Sequence, residues 1–75
     1  MKKNLKYYMN LNYPIEVKKL SKEESDGYFV TIPQLGKYAF HADGETISEA
    51  FENLATVKEF LFEQYLKNGT SIPEP

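Results

Sequence analysis

Thr46-Ile47-Ser48-Glu49-Ala50-Phe51-Glu52-Asn53-Leu54-Ala55-Thr56-Val57-Lys58-Glu59-Phe60-Leu61-Phe62-Glu63-Gln64-Tyr65 is the stretch around which the rest of the chain is arranged. Thr46-Ile47-Ser48-Glu49 has the form of a capping box: the Thr46 hydroxyl accepts an orphan backbone N–H while the Glu49 carboxylate reaches back to the N-cap amide. From there Ile47, Ala50, Phe51, Leu54, Val57, Leu61 and Tyr65 recur at spacings of three and four, which aligns them in one apolar stripe of a helix. Glu49, Glu52, Glu59 and Glu63 fall on the opposite, outward side. Lys67-Asn68-Gly69 supplies a cation for the last turn and a residue tolerant of the left-handed conformation that stops the helix. Two residues depart from the pattern. Lys58 lies in the apolar stripe, where its stem packs and its ammonium snorkels to water. Phe60 points away from the stripe and is open to two readings, an isolated exposed apolar residue or a contact for a partner.

The helix needs a surface to cover, and the chain before it reads as sheet. Leu11, Tyr13, Ile15 and Val17 alternate with Asn12, Pro14, Glu16 and Lys18, the period-two pattern of a half-buried strand whose early part Pro14 pushes toward a sheet edge. Asp26-Gly27 signals a tight turn into a second strand, Tyr28 to Ile32, with Tyr28, Val30 and Ile32 on one face and Phe29 and Thr31 on the other. Pro33 ends that strand. A third is expected from Tyr38 to Ala42, with Tyr38, Phe40 and Ala42 on one face and Ala39 and His41 on the other, before Asp43-Gly44 turns into the helix. Residues 1–10 form no clear period and read as a partly ordered lead-in. Ile72-Pro73-Glu74-Pro75 reads as an extended exit, with room for a short extra strand after residue 70. The expected fold class is α+β: a three-stranded antiparallel sheet with one helix packed on one face, in a single domain over residues 11–75.

At 75 residues without a cysteine, the domain is near the size at which one core is marginally sufficient, so a homo-oligomer, dimer or higher, is expected. Eleven aromatics, six Tyr and five Phe, supply bulk for that core. With no long apolar run and no signal-peptide core after Lys2-Lys3, a cytoplasmic location without membrane contact is expected.

The net charge of −2 conceals a split. Residues 1–22 carry six Lys against Glu16, whereas residues 23–66 carry nine acids against Lys37 and Lys58. An acidic body repels phosphate backbones, and the chain has no Arg for bidentate contacts, so no nucleic-acid contact by this segment is expected. A basic protein would be attracted instead; the plain alternative is a solvated helix face. Catalytic and metal chemistry find few residues. Glu16 is the only acid in the first strand, His41 is the only histidine, and the remaining carboxylates lie in turns or on the outer helix face. No enzyme activity, metal site or cofactor is expected.

Asp26-Gly27-Tyr28-Phe29-Val30 with Ile32-Pro33-Gln34-Leu35, then Ala42-Asp43-Gly44-Glu45-Thr46-Ile47-Ser48-Glu49-Ala50, and finally Asn68-Gly69 with Ile72-Pro73-Glu74-Pro75, together resemble the HicB-type antitoxin family over residues 13–75. The resemblance implies a βββα core of partial ribonuclease-H-like type, a fourth strand after the proline-rich exit, and a partner: a small basic HicA-like toxin that cleaves mRNA using a histidine. It also implies a C-terminal DNA-binding segment in many members. The sequence stops at Pro75, where that segment and the fourth strand would begin, so a fragment and a short stand-alone relative are both open. Gln34-Leu35-Gly36 lacks the second Pro of the family's turn. The implied function is neutralisation of the toxin by docking on it and denying it RNA. The candidate contacts are Phe29, Thr31, Tyr38 and His41 on the sheet, with Ala39 beside them, and Glu49, Glu52, Glu59, Phe60 and Glu63 on the helix. The alternative is a stand-alone oligomeric binding or sensor domain of the same fold with another partner.

Overall fold

The computed structural model describes residues 3–75; Met1 and Lys2 of the lead-in lie outside the described residues. In chain order the elements are α1 (Leu5–Met9), β1 (Glu16–Lys19), β2 (Tyr28–Thr31), a 3-10 turn (Pro33–Leu35), β3 (His41–Gly44) and α2 (Ile47–Asn68). The strands form one antiparallel sheet in the order β1-β2-β3. The α+β arrangement expected from the sequence, three antiparallel strands and one main helix, is the one observed.

Thr46 is the N-cap of α2, its hydroxyl accepting from the Glu49 N–H at 3.1 Å. The Glu49 carboxylate reaches back one residue further than a standard capping box, to the N–H of Glu45 at 3.1 Å. The helix runs to Asn68, one turn past Tyr65. It stops at left-handed Gly69, whose N–H donates to the Leu66 carbonyl while Thr70 N–H donates to that of Tyr65. These paired bonds satisfy carbonyls that the helix end would otherwise orphan.

α2 packs on β3 and, less extensively, on β2, leaving β1 outside its cover. Val30, Ile32, Phe40, Ala50 and Phe62 have no solvent exposure, and Leu54 has almost none. The inward stripe therefore differs from the expected one. Ile47 and Phe51 remain 43% and 40% exposed, while Phe62, outside the expected stripe, is fully buried. The cause is α1. Asn4 caps α1 by accepting from Tyr7 N–H, and Leu5, Tyr8 and Met9 follow at helical spacing. Tyr8 and Tyr13 then press their rings on Phe62 at 6.0 and 6.1 Å, and Phe40 meets it from the sheet at 5.6 Å. The lower half of α2 thus buries a wider arc than a single sheet contact would require, and residues expected as an irregular lead-in contribute to the core.

Regular pairing in β1 begins only at Glu16, two residues past Pro14. Of the expected inward set Leu11, Tyr13, Ile15 and Val17, only Tyr13 is buried; Ile15 and Val17 are 41% and 47% exposed because the helix does not reach them. The third strand is displaced relative to expectation. Gly36, at φ +106°, accepts at its carbonyl from the N–H groups of Ala39 and Phe40, and this closes a turn that holds Tyr38 and Ala39 out of the sheet. Asp43-Gly44, expected as a turn, belongs to β3. Gly44 is required there because a Cβ would stand 2.6 Å from the Ala50 nitrogen and 2.9 Å from the Glu49 carbonyl carbon, so α2 lies directly on the strand backbone. A Cβ on Gly27 would meet the Gly44 carbonyl oxygen at 2.5 Å, so β2 enters beside β3 on the same terms.

Residues 70–75 form no strand, contrary to the expected addition after residue 70. Their polar groups are committed to the body of the protein. Tyr13 hydroxyl donates to the Pro73 carbonyl, Gln34 side-chain amide to the Glu74 carbonyl, and the Glu74 carboxylate accepts from Lys3 at 2.7 Å and from Tyr7 hydroxyl at 2.8 Å. Ile72 is buried beneath this clasp.

Candidate functional site

The candidate residues fall on two separate surfaces. On the outer face of the sheet, alternation brings Glu16 and Lys18 of β1 beside Thr31 and Phe29 of β2, and these beside His41 and Asp43 of β3. The Phe29 and His41 rings pack at 5.5 Å with 41° between their planes. Lys37 reaches over the same face, and Glu16, Val17, Lys18, Phe29, Thr31 and Lys37 line a shallow depression of about 330 Å³. Thr31, expected as an exposed contact, is only 7% exposed and forms the floor of that depression. Tyr38 does not join the face: it is 89% exposed in the turn after Gly36, with the Lys37 ammonium 5.8 Å from its ring centre. Lys18 and Lys37 were not singled out from the sequence, although the alternation along β1 already places Lys18 with Glu16 on this side.

The second surface is the outer face of α2. Glu49, Glu52, Glu59 and Glu63 are all exposed, and Phe60 among them is 60% exposed. At about 100° per residue, the four carboxylates fall within roughly 100° of Phe60 around the helix axis. Glu49 is partly committed to the Glu45 N–H, which leaves Glu52, Glu59 and Glu63 as the carboxylates nearest Phe60 that are free to meet a cation. Lys58, on the other side of the helix, is half-buried, and desolvation holds its ammonium pKa below the ordinary lysine value. Of the two cations on α2, Lys58 is thus withdrawn into the apolar stripe, while Lys67 is exposed in the last turn, four residues after Glu63.

Among the described residues, no three His, Cys, Asp or Glu side chains are grouped closely enough to hold a metal ion, and no helix is long and apolar enough to cross a membrane. Glu16 faces Thr31 and the Lys37 side of the depression. His41 contacts Phe29. No family model, curated protein or solved structure matches this chain.

Proposed function

We propose that this chain is a protein-binding module of antitoxin type: it docks through the outer face of α2 on a small basic HicA-like toxin and blocks the access of mRNA to it. The observation that carries this reading is Phe60, a large apolar side chain held 60% exposed on a rigid helix and flanked by Glu59 and Glu63. An aromatic anchor with carboxylates along one side of it suits a basic partner: the ring supplies the desolvated contact, and the charges steer encounter and orient the complex. The order and spacing of Asp26-Gly27, Ile32-Pro33, Gly44-Glu45-Thr46, Glu49-Ala50 and Ile72-Pro73-Glu74-Pro75, which resemble the HicB-type pattern, support the same reading. Neutralisation then needs no reacting group on this chain. It needs a surface that competes with RNA for the cationic face of the toxin.

The test is growth of cells expressing the basic ribonuclease encoded beside this gene, with and without the chain. Growth is expected to recover with the native chain and to fail with Phe60→Ala combined with Glu63→Lys at equal protein level. An adjoining gene of another kind, or recovery unaffected by the two substitutions, would contradict the proposal.

A further inference from the structure

The two edges of the sheet are not equivalent. In the β2–β3 ladder, Ile32 N–H donates to the Phe40 carbonyl, so by alternation Phe40, Ala42 and Gly44 point their backbone groups at β2 while His41 and Asp43 point theirs outward. That outward edge is occupied: the Asn53 side-chain amide, from α2, donates to the Asp43 carbonyl at 2.8 Å. In the β1–β2 ladder, Leu20 N–H donates to the Gly27 carbonyl, so Glu16, Lys18 and Leu20 face β2. Ile15, Val17 and Lys19 therefore turn their N–H and C=O groups to the open side, and every residue of β1 is exposed. Such an edge is a template for another strand.

We propose that the occupant is a second copy of this chain, paired antiparallel through β1 about a two-fold axis at Val17. The charge order of Ile15-Glu16-Val17-Lys18-Lys19 selects that register. Centred on Val17, the two Val17 residues exchange both backbone hydrogen bonds, and Glu16 of each copy stands opposite Lys18 of the other. That second pair is of the non-hydrogen-bonded kind, in which side chains approach most closely. A centre at Glu16 sets Glu16 against itself, a centre at Lys18 sets Lys18 against itself, and a centre at Lys19 does the same with Lys19. Lys18 is free to make the new contact, since its ammonium lies 3.9 Å from Glu24 in a loose, exposed pair.

Both inner faces then lie on the same side of a continuous six-stranded sheet. The two α2 helices flank a floor made of Ile15 and Val17 from each copy, the apolar residues that the helix of one copy leaves open. Four strand spacings separate the two helices, about 19 Å, and both acidic outer faces stay accessible. Pairing over about five residues is a small interface, so a dissociation constant on the order of 10 to 100 μM is expected. The inference does not depend on the toxin reading, because the dimer is measured with this chain alone.

Sedimentation equilibrium of the full chain tests it. Dimers are expected at a few hundred micromolar. Glu16→Lys and Lys18→Glu are each expected to weaken association about tenfold or more, and the double exchange E16K/K18E to restore it. The register has its own readout, because the chain has no cysteine. Under mild oxidation Val17→Cys is expected to cross-link to a dimer, the opposed Cα atoms being about 5.5 Å apart. Glu16→Cys alone is not, because its own copies would lie more than about 7 Å apart. A mixture of Glu16→Cys and Lys18→Cys chains is expected to cross-link. A chain that stays monomeric near millimolar concentration, or a dimer indifferent to the charge reversals, would overturn the proposal. So would cross-linking of Glu16→Cys in preference to Val17→Cys.

Discussion

Phe62 is the residue on which the hydrophobic core turns, with Tyr8, Tyr13 and Phe40 all packed on its ring. Phe62→Ala is expected to cost about 3–5 kcal/mol. At about 4–8 °C per kcal/mol for a domain of this size, the melting temperature of this variant should fall by at least about 12 °C. Lys58 stands in the opposite situation. Burial lowers its pKa, so the folded protein binds its proton less well than the unfolded chain, and stability rises with pH as the solution approaches the ordinary lysine value. At neutral pH the charge costs stability. Lys58→Met is therefore expected to raise the melting temperature by a few degrees at pH 7, an advantage that shrinks above about pH 10. The in-stripe position of Lys58 was readable from its spacing. The burial of Phe62 was not, because it depends on a short N-terminal helix whose signals, Asn4 and the Leu5, Tyr8 spacing, are too few to outweigh the Lys- and Asn-rich composition around them.

At the scale of elements, what could be read from the sequence follows from how local the cause is. The start of α2 is a side-chain-to-backbone cap and the order of strands and helix follows hydrophobic period, so both could be read directly. The start of β3 depends on Gly36 folding the chain back on itself through the Ala39 and Phe40 N–H groups, and nothing in the alternation of Tyr38, Phe40 and Ala42 reports that. The exposure of β1 depends on where α2 sits across the sheet. Gly44 fixes that placement. Gly44→Ala is expected to destabilise by about 2 kcal/mol, since the added methyl meets helix backbone and not a movable side chain. Thr46→Ala, which removes the acceptor for Glu49 N–H, is expected to cost about 1 kcal/mol. Denaturant titrations of the two variants, with an unchanged slope, check both figures. Of the candidate surfaces, the acidic face of α2 was legible because helical spacing alone sorts Glu52, Glu59, Phe60 and Glu63 to one side. The sheet depression was only half legible, since Lys37 reaches it from a turn.

For the molecule as a whole, the two ends of the chain meet at Glu74. Its carboxyl is held below the usual carboxylate range, first by the hydrogen bond from Lys3 and then by that from Tyr7 hydroxyl. A depressed carboxylate contributes stability that is complete above its ordinary pKa and disappears as pH falls through the lowered value. Lys3, raised chiefly by the same bond, loses its share only when pH climbs through its own elevated value. The clasp over Ile72 is therefore expected to hold across the neutral range and to loosen below about pH 4.5. The Ile72 methyl resonances should move toward random-coil positions on that acid side, and in Glu74→Gln they should lie closer to those positions at every pH. The remaining acids face outward along a molecule extending 45 × 19 × 18 Å, and its long acidic helix is the surface proposed to meet a basic partner. Calorimetric titration of the chain into a basic ribonuclease of the kind the proposal expects beside it measures that encounter most directly. Saturable binding is expected, weakening with added salt and falling at least a hundredfold with E59K/E63K; no binding, or binding that the two reversed charges leave unchanged, would contradict a docking role for this helix face.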